Sequence, residues 1–492
     1  MLKKFCVLLT TMLTLVCILA MSASVVNYGS SMYFSANKHV EYSRIIKLSD
    51  GSFLAAFSAD DLTSIRFFKS TNNCSSFSAV STFTDNSDSN LPNIGAQTIF
   101  EVTPGTILLA YNQFDNSTQS KGTKLKIWKS TNGGSTWTFL SQVENLTWNW
   151  EPEFCISSDG KLQLYYSYSG TTMDILAQAI IRRESSDNGN TWSSIATCVG
   201  QVGSANQNVG MPRICKKGST YFMAFEYYDD SACVHTATSS DGKTWSAIGP
   251  AVKVPNDSTS FWMLSTPTIS SDGTSLFCMG KSYMKYLWEA APNNGKVCLR
   301  STDNGNTWSE MDLPFQLQWI DGKGNYSPTL LPLSSSQIFL ITNSENTGHE
   351  IRYGVGAITA AIVKVNDATK GTANEQFNFV GRWSSGWDGG SYNSDTHWSN
   401  TANSYYQMSF IGTQIKIFAK KGTDMGNMAV SIDGGTETVV DLYQSSTQKQ
   451  QLLWTSPVLA SGQHTIKVRV TGTKNNNSNN TYVNADFVEI IK

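Results

Sequence analysis

Short apolar runs separated by tight turns recur along most of the chain. In each pair of runs, apolar residues alternate with small polar ones or form a short buried stretch, as β-strands do, and a turn joins the two runs. The pairs are RIIKLSDGSFLAAF, TIFEVTPGTILLAY, EFCISSDGKLQLYY, RICKKGSTYFMAF, PTISSDGTSLFCMG and SPTLLPLSSSQIFLI. This pattern predicts six β-hairpins and an all-β protein.

A second motif follows five of these hairpins. Its copies are STNNCSSF (70–77), STNGGSTW (130–137), SSDNGNTW (185–192), SSDGKTW (239–245) and STDNGNTW (301–308), with terminal aromatic residues 53 to 63 residues apart. Asn-Gly and Asp-Gly are strong hairpin signals, and an Asp or Asn side chain can bond the amides of its own turn. Each copy therefore predicts a turn between two further strands. Four strands repeated six times predict a six-bladed β-propeller, with outer strands of the sixth unit supplied by HEIRYGVGAITAAIV.

The pattern changes after about Val365. A polar linker, NDATKGTANEQ, precedes alternating segments that lack the repeated motif, among them IGTQIKIFA, GNMAVSIDGG and TYVNADFVEII. They predict a β-sandwich over residues 377–492, after a propeller over residues 25–365. Four tryptophans could either stack on sugar rings or belong to the sandwich core: Trp383, Trp387, Trp398 and Trp454.

The N-terminus has the pattern of an export signal. Lys3 and Lys4 precede an uncharged, mostly apolar run from Phe5 to Met21, and small residues follow around Ala23. This predicts a signal peptide over residues 1–24 and a secreted protein. A retained membrane anchor is the alternative, although the run lies at the lower edge of the length needed to span a bilayer.

Composition and charge exclude several classes of protein. Charged residues make up 15% of the chain and aromatic residues 11%, which is unlike a disordered protein. The 36 basic and 38 acidic residues form no basic block, so we expect no nucleic-acid partner and no stable membrane association after signal cleavage. Seven cysteines after the signal are scattered without a C-x-x-C pair, and the five histidines show no ligand spacing. We expect a monomer with no cofactor and no metal site.

Carboxylates occur where the inner strands of a propeller would open onto one face. Glu151 lies within WNWEPEF, and Glu226 ends the apolar run YFMAFE. A carboxyl group beside apolar and aromatic walls tends to have a raised pKa, which suits a general acid. Glycoside hydrolysis needs two carboxylates that flank the scissile bond. These residues are therefore candidates for a catalytic pair, and solvated rim residues are the alternative.

Two levels of resemblance sharpen this hypothesis. The repeated motifs resemble the Asp-boxes of sialidase-like propellers, which carry architecture and not chemistry. WNWEPEFCISSDGKLQLYYS and GMPRICKKGSTYFMAFE resemble segments of the exo-α-1,5-L-arabinanases of glycoside hydrolase family 93, and the resemblance covers roughly residues 30–365. It implies a retaining exo-hydrolase that releases short oligosaccharides from α-1,5-L-arabinan or a similar polysaccharide, with Glu151 and Glu226 as the catalytic pair. Which of the two is the nucleophile stays open, and YNQFD stands where the family pattern has R-N-H-D.

Further residues are candidates for substrate contacts, and two other functions remain open. The candidate binding residues are Arg44, Asp60, Asp115, Trp150, Tyr168, Arg213 and Tyr326. An exo-sialidase would use Arg44, Tyr326 and Asp60, but it needs an arginine triad that is hard to find in this chain. A non-catalytic glycan-binding propeller is the third reading. HWSNTANS, MAVSIDGG and SGQHTIKVRVTGT resemble the jelly-roll modules of galactose-binding-like fold in secreted carbohydrate-active enzymes, which implies sugar binding.

Overall fold

The structure of the chain is almost entirely β-strand. The computed structural model describes residues 27–117, 122–170, 178–201, 209–227, 234–252, 262–284, 295–317, 324–345, 348–358, 362–460 and 462–492. A short 3-10 turn at Tyr392–Ser394 is the helical element among them, so the predicted all-β class is confirmed. None of the helical structure in these ranges is long and apolar enough to cross a membrane. The predicted signal peptide, residues 1–24, lies outside the described residues.

Residues 27–358, here called the N-terminal unit, contain strands β1 to β22. The strands are β1 (Ser30–Ser35), β2 (Glu41–Lys47), β3 (Phe53–Ala59), β4 (Ser64–Ser70), β5 (Ser78–Phe83), β6 (Asn93–Thr103), β7 (Thr106–Phe114), β8 (Thr123–Ser130), β9 (Thr138–Ile156), β10 (Leu162–Gly170), β11 (Ala179–Ser185), β12 (Ala196–Val199), β13 (Val209–Lys217), β14 (Thr220–Tyr227), β15 (Val234–Ser239), β16 (Trp262–Ser271), β17 (Leu276–Met284), β18 (Val297–Ser301), β19 (Ser309–Asp312), β20 (Thr329–Pro332), β21 (Gln337–Glu345) and β22 (His349–Ala357).

These strands form antiparallel groups in chain order. The groups are β2–β5, β6–β9, β9–β12, β13–β15, β16–β19 and β20–β22 with β1. The long strand β9 ends the second group and begins the third, which joins both into one seven-stranded sheet. The first strands contact one another in succession from β2 through β6, β9, β13, β16 and β20, and β20 contacts β2 again. The six predicted hairpins therefore surround a common centre.

The sixth group is completed from the other end of the chain. Strand β1 pairs with β22, with Ser35 opposite His349. The sequence analysis assigned the outer strands to HEIRYGVGAITAAIV, whose first part is indeed β22. Its last part, however, contributes to strand β23 (Ile362–Asn366), which pairs with the C-terminal strand of the chain. Local alternation predicts a strand but cannot select its partner, because pairing depends on residues far away in sequence.

The repeated motifs are structural turns. Ser185 Oγ donates to Asp187 Oδ1 at 2.7 Å and accepts the Gly189 amide at 2.8 Å, and the Thr191 amide donates to Asp187 Oδ1 at 2.9 Å. Hydrogen bonds from Thr191 hold the pKa of Asp187 at about 2. The Gly189 carbonyl accepts a 2.6 Å bond from Ser141 of the preceding group. The motif thus closes its own hairpin and fastens it to the neighbouring group.

Apolar side chains fill the spaces between neighbouring groups. Leu54 and Phe67 of the first group pack with Ile99 and Leu109 of the second in one buried cluster. Burial of each large apolar side chain stabilises the fold by about 1.5–3 kcal/mol. The described cysteines are free thiols, as expected for small buried strand residues: Cys74, Cys155, Cys278 and Cys298 are buried, and Cys198 and Cys215 are partly buried. Cys233 lies outside the described residues.

Residues 362–492, here called the C-terminal unit, contain strands β23 to β34. The strands after β23 are β24 (Asn378–Val380), β25 (Ser384–Trp387), β26 (Asp395–Ser399), β27 (Tyr405–Gly412), β28 (Gln414–Lys421), β29 (Asn427–Ile432), β30 (Thr438–Asp441), β31 (Gln448–Thr455), β32 (Gly462–Val470), β33 (Val483–Ala485) and β34 (Phe487–Ile491). They form the sheets β23-β34-β28-β31, β24-β27-β32-β29-β30 and β25-β26-β33.

The two larger sheets of the C-terminal unit share one apolar core. Ile417 and Val488 from one sheet pack with Met408 and Val468 from the other. Strand β23 belongs to the first of these sheets, so residues before Phe377, the predicted start of the sandwich, also pair within this unit.

The four tryptophans of this unit differ in environment. Trp383 and Trp454 pack against the core, and Trp398 is partly buried. Trp387 is 83% exposed and is free to contact a ligand.

Candidate active site

The same backbone irregularity occurs in the first strand of five groups and just before the first strand, β20, of the sixth. In each group one residue takes a left-handed conformation, with φ between 51 and 56°. It stands two positions before the corresponding member of this set: Arg44, Thr98, Glu153, Arg213, Thr268 and Thr329. In the first five groups a register shift interrupts the ladder with the second strand at this point. The left-handed residues are Tyr42, Ala96, Glu151, Met211, Thr266 and Ser327. A non-glycine residue costs of order 1–3 kcal/mol in this conformation, and such strain clusters at functional sites.

The bulges bring side chains from different groups together at one end of the first strands. Tyr42, Ala96 and Met211 form a buried cluster, against which Trp150 and Tyr326 pack. The rings of Tyr42 and Tyr326 meet edge to face at 5.2 Å. Trp150 also contacts the ring of Phe114 at 5.1 Å. We call this cluster the aromatic mouth.

Glu151 occupies the bulge of the third group beside the aromatic mouth. Its Oε2 accepts a 2.6 Å hydrogen bond from Ser167 Oγ, and Ser167 Oγ in turn accepts the Met211 amide at 2.9 Å. Burial raises the pKa of Glu151 to about 7; the bond from Ser167 opposes this shift, and the charge of Glu226 adds to it. Near neutral pH this carboxyl group can therefore hold a proton and release it.

Glu226 comes from the end of β14, in the next group. It is 9% exposed, and its Oε1 accepts a 2.6 Å bond from the backbone amide of Thr266, which is itself a bulge residue. Gly210 lies opposite Glu226 in the ladder. A Cβ at this glycine would lie 3.0 Å from Ser167 Oγ and 2.9 Å from Gln178 Oε1, so Gly210 allows the strands around both carboxylates to approach closely. The hydrogen bond from the Thr266 backbone amide stabilises negative charge on Glu226.

A pocket of about 330 Å³ adjoins the aromatic mouth. In the wall of this pocket, Lys281 Nζ lies 4.8 Å from the centre of the Tyr326 ring. Burial lowers the pKa of Lys281, while Glu345, Glu41 and Glu226 act in the opposite direction. The lining residues are His39, Glu41, Lys281, Gly324, Tyr326, Asn343, Glu345 and His349.

The two predicted substrate arginines line a central cavity of about 290 Å³, to which all six first strands contribute. The guanidinium of Arg44 also lies 5.7 Å from the centre of the Tyr42 ring of the mouth. Arg44 donates to the carbonyl and hydroxyl of Ser327 at 3.0 and 2.9 Å. Burial and the nearby Arg213 lower the pKa of Arg44 to about 9. Arg213 Nη1 lies 3.5 Å from Glu153 Oε2. The bulge accounts for this placement, because residues two positions beyond it face the cavity while the bulge residue faces the mouth.

Two predicted acidic contacts are already engaged by neighbouring residues. The Tyr33 hydroxyl of β1 donates to Asp60 Oδ1 at 3.1 Å. Asp60 accepts hydrogen bonds from Arg66 at 2.8 Å and Ser64 at 2.6 Å. Burial opposes ionisation of Asp60, but these bonds outweigh it and hold its pKa below the usual value. Asp115 Oδ1 accepts the amide and hydroxyl of Ser117 at 2.9 and 2.6 Å. A lowered pKa does not suit Asp60 to the role of a general acid.

Tyr168 lies on the other face of β10. Its neighbour Ser167 bonds Glu151, and successive residues of a strand point to opposite faces. Tyr168 accordingly packs in the cluster between the second and third groups, 6.3 Å from the ring of Tyr166. Of the nine predicted site residues, the structure brings Glu151, Glu226, Trp150 and Tyr326 together.

Sequence reasoning missed several residues around the mouth. Tyr42, Ser167, Lys281 and His39 were not singled out as site residues, although each lies in or beside it. A signal for Tyr42 was available. Proline follows the bulge residue in four groups, at positions 152, 212, 267 and 328, so aligning the six hairpins on E-P, M-P, T-P and S-P places Tyr42 at the same position as Glu151.

Comparisons with known proteins support the fold. The α-L-arabinanase of Penicillium chrysogenum, solved with arabinobiose, is 17% identical over 68% of this chain and 98% of its own, with a TM-score of 0.53. An α-L-arabinofuranosidase of Fusarium graminearum, solved with an iminosugar inhibitor, has the same identity and coverage with a TM-score of 0.54. A protein of unknown function from Dyadobacter fermentans is 12% identical over 67% of this chain and 97% of its own, with a TM-score of 0.52.

Sequence comparison adds little beyond this shared fold. No family model matches the chain. An A type blood N-acetyl-α-D-galactosamine deacetylase of Flavonifractor plautii is 30% identical over 90 residues, which is 18% of this chain and 12% of that protein. The chain thus spans only a small part of the length of this curated relative. At these identities the solved structures show the fold alone, and it is the fold of arabinan-degrading enzymes of glycoside hydrolase family 93 that the sequence analysis expected.

Proposed function

We propose that the N-terminal unit is a six-bladed β-propeller that hydrolyses arabinan-like polysaccharides from the chain end, with Glu151 and Glu226 as its catalytic pair. One observation carries the proposal: a partly buried carboxyl group with a pKa of about 7 lies at a strained bulge, within electrostatic reach of a second carboxyl group from the next blade. The shared fold with an arabinanase solved with arabinobiose supports the substrate class.

The environments of the two carboxyl groups support different roles. Glu151, protonated near neutral pH, donates its proton to the glycosidic oxygen as that bond breaks. Glu226, whose charge the Thr266 amide stabilises, attacks the anomeric carbon and forms a glycosyl-enzyme ester. Glu151, now a carboxylate, then takes a proton from water, which attacks the same carbon and releases the sugar with retained configuration.

The arginines favour a neutral sugar over a sugar acid. Recognition of a sialic acid carboxylate needs arginine groups that are free to form bidentate bonds. Arg44 donates to Ser327, Arg213 Nη1 lies 3.5 Å from Glu153 Oε2, and both arginines line the central cavity and not the pocket beside the mouth. The aromatic mouth instead offers ring faces and hydroxyl groups, which suit an uncharged pentose. An exo-sialidase centred on Tyr326 is the second candidate, because that tyrosine does lie at the mouth.

Product analysis tests this function. The purified mature protein is incubated with linear α-1,5-arabinan and, separately, with a sialylated reporter. Short arabino-oligosaccharides should appear, and they should be lost in Glu151→Gln and Glu226→Gln but not in Glu310→Gln, a matched change of an exposed glutamate. Sialic acid release that survives both changes would move the chemistry to Tyr326. If neither substrate releases a product, a glycan-binding propeller without catalysis would be favoured.

The C-terminal unit is, in this proposal, a β-sandwich that holds the secreted enzyme on its polysaccharide. Trp387, 83% exposed, supplies a ring face for sugar stacking. Trp387→Ala should weaken retention on insoluble arabinan without changing the melting temperature. Val458→Ala, at an apolar side chain that is 79% exposed, is the control. Equal retention of both variants would contradict a binding role for Trp387.

A further inference from the structure

Three potential metal ligands meet at the side of the pocket where the sixth strand group is completed. Glu345 ends β21, His349 begins β22 opposite it, and His39 lies between β1 and β2. The donor atoms of the three side chains all lie within 4.8 Å of one another, and each residue is partly exposed. The cluster is therefore preformed and accessible from solution.

The two distances from the Glu345 carboxylate to the histidine nitrogens match a tetrahedral site. Glu345 Oε1 lies 3.1 Å from His39 Nδ1 and 3.3 Å from His349 Nδ1. With metal–ligand distances of about 2.0–2.1 Å, neighbouring donors of a tetrahedral zinc site lie about 3.3 Å apart. His349 Nδ1 is buried and forms no hydrogen bond within the described chain, which leaves its lone pair available.

A carboxylate behind His39 orients that ring. His39 Nε2 lies 2.8 Å from Glu41 Oε2, on the side of the ring opposite the Nδ1 atom that approaches Glu345. Metal-ligating histidines almost always donate their second ring N–H to a carboxylate or carbonyl, which fixes the tautomer and raises ligand basicity. Glu41, His39 and a bound cation would form such a carboxylate–histidine–metal arrangement.

We propose that His39, Glu345 and His349 bind a divalent transition-metal ion, with Zn²⁺ as the best match. Two imidazoles and one carboxylate suit zinc, whereas Mg²⁺ and Ca²⁺ prefer sites made of oxygen ligands. Three protein ligands leave a fourth position for water or a substrate hydroxyl from the adjoining pocket, whose wall includes Lys281 and Tyr326.

Bound metal would also fasten the ends of the N-terminal unit together. It would join His39, which precedes the first strand group, to Glu345 and His349 of the sixth group, which β1 completes. A ligand that binds only the folded state stabilises it by mass action. The inference does not depend on the proposed hydrolase activity, because metal uptake and thermal unfolding both report on it directly.

Titration of the chelator-treated full chain with ZnCl₂ at about pH 8, where most imidazoles are neutral, tests the proposal. Calorimetry should show one high-affinity zinc per chain that MgCl₂ and CaCl₂ do not displace. His39→Gln, His349→Gln and Glu345→Gln should each weaken binding by about 100-fold or more, and Glu41→Gln by about 10–100-fold. His464→Gln is the matched control, because His464 pairs with Asp433 at 2.7 Å in the C-terminal unit. Absence of zinc uptake, or uptake that the three ligand changes leave intact, would overturn the proposal.

Two measurements on the unmodified chain cover the case in which a variant fails to fold. At a free zinc concentration about 100 times Kd, the melting temperature should rise by about 3–6 °C. Zinc should also slow acylation of His39 and His349 by diethyl pyrocarbonate several-fold, with His464 modified at an unchanged rate. An unchanged melting temperature together with equal modification rates would show that the cluster is only a hydrogen-bonded network.

Discussion

Glu151 and Glu153 lie two residues apart on β9, yet the structure treats them in opposite ways. Glu153 faces the central cavity, where it lies 3.5 Å from Arg213 Nη1 and accepts a 3.3 Å bond from Thr98 Oγ1. Glu151 lies at the bulge, where its Oε2 accepts a hydrogen bond from the Ser167 hydroxyl, which in turn accepts the Met211 amide. Burial then raises the pKa of Glu151 to about 7.

This contrast shows what the bulge does. In a regular strand, residues two apart point to the same face and would share one environment. The left-handed residue breaks that relation. Glu153 therefore joins the ionic contacts of the cavity, whereas Glu151 lies at the mouth and accepts a hydrogen bond from a neutral hydroxyl. The fold thereby places an acid of altered pKa beside a cleft, at a local backbone cost.

Replacing each glutamate by glutamine should separate the two roles most clearly. Glu151→Gln should lower kcat/KM on arabino-oligosaccharides by about 10²–10⁴-fold, because no proton donor remains for the leaving oxygen. Steady-state kinetics with purified variants measures this effect. A loss of similar size in Glu153→Gln would contradict the assignment.

The second effect concerns stability. Glu153→Gln should lower the free energy of unfolding by about 3 kcal/mol, because it leaves the buried Arg213 charge without its carboxylate partner. Urea unfolding measures it, with Glu310→Gln as an exposed control. If Glu153→Gln were as stable as the wild type, the contact between Glu153 and Arg213 would not contribute to stability.

The pH dependence of activity sharpens the contrast further. As a general acid with a pKa of about 7, Glu151 should lose its proton above that pH, and kcat/KM should fall. The Ser167 hydroxyl favours the charged form, so Ser167→Ala should raise the pKa and move the alkaline limb upward by up to about one pH unit. Ser141→Ala, which removes a buried hydroxyl bonded to Gly189, should leave the limb in place. A downward shift in Ser167→Ala would contradict this account.

A third buried carboxyl group tests whether a raised pKa implies catalysis. Burial raises the pKa of Asp486, in the C-terminal unit, from 3.8 to about 7. The unfolded chain ionises first, so stability should fall as pH rises from about 4 to about 7, by up to about 4 kcal/mol. Asp486→Asn should remove this slope in thermal unfolding and leave kcat unchanged. Reduced kcat in that variant would weaken the distinction between burial and function.

Several features could be predicted from the sequence because their signals are local. The alternating runs and the Asn-Gly or Asp-Gly turns predicted the hairpins, and the turns form the predicted hydrogen bonds around Asp187. Glu226, at the end of an apolar strand, and Glu151, within an aromatic segment, were also found in this way. Whether the two carboxylates act as a pair remains a prediction for the experiments above.

Other features depended on contacts between distant residues. Arg44 was expected to contact substrate; it lines the central cavity and also lies against the Tyr42 ring, a placement set by the bulge in its strand. Strand β1 and the segment that forms β23 took partners at opposite ends of the chain. His39, Glu345 and His349 show no ligand spacing in the sequence, because two separate segments supply them.

Local sequence patterns were enough to predict the all-β class, the repeat, the turn chemistry and the change of pattern that marks the C-terminal unit. All of these follow from backbone preferences and side-chain alternation over a few residues. The tertiary structure alone decided which strand completes the sixth group, which carboxylate meets an arginine, and which histidines meet. Those outcomes depend on burial and on the closure of strand groups around a common centre, where residues distant along the chain set each other's electrostatic environment.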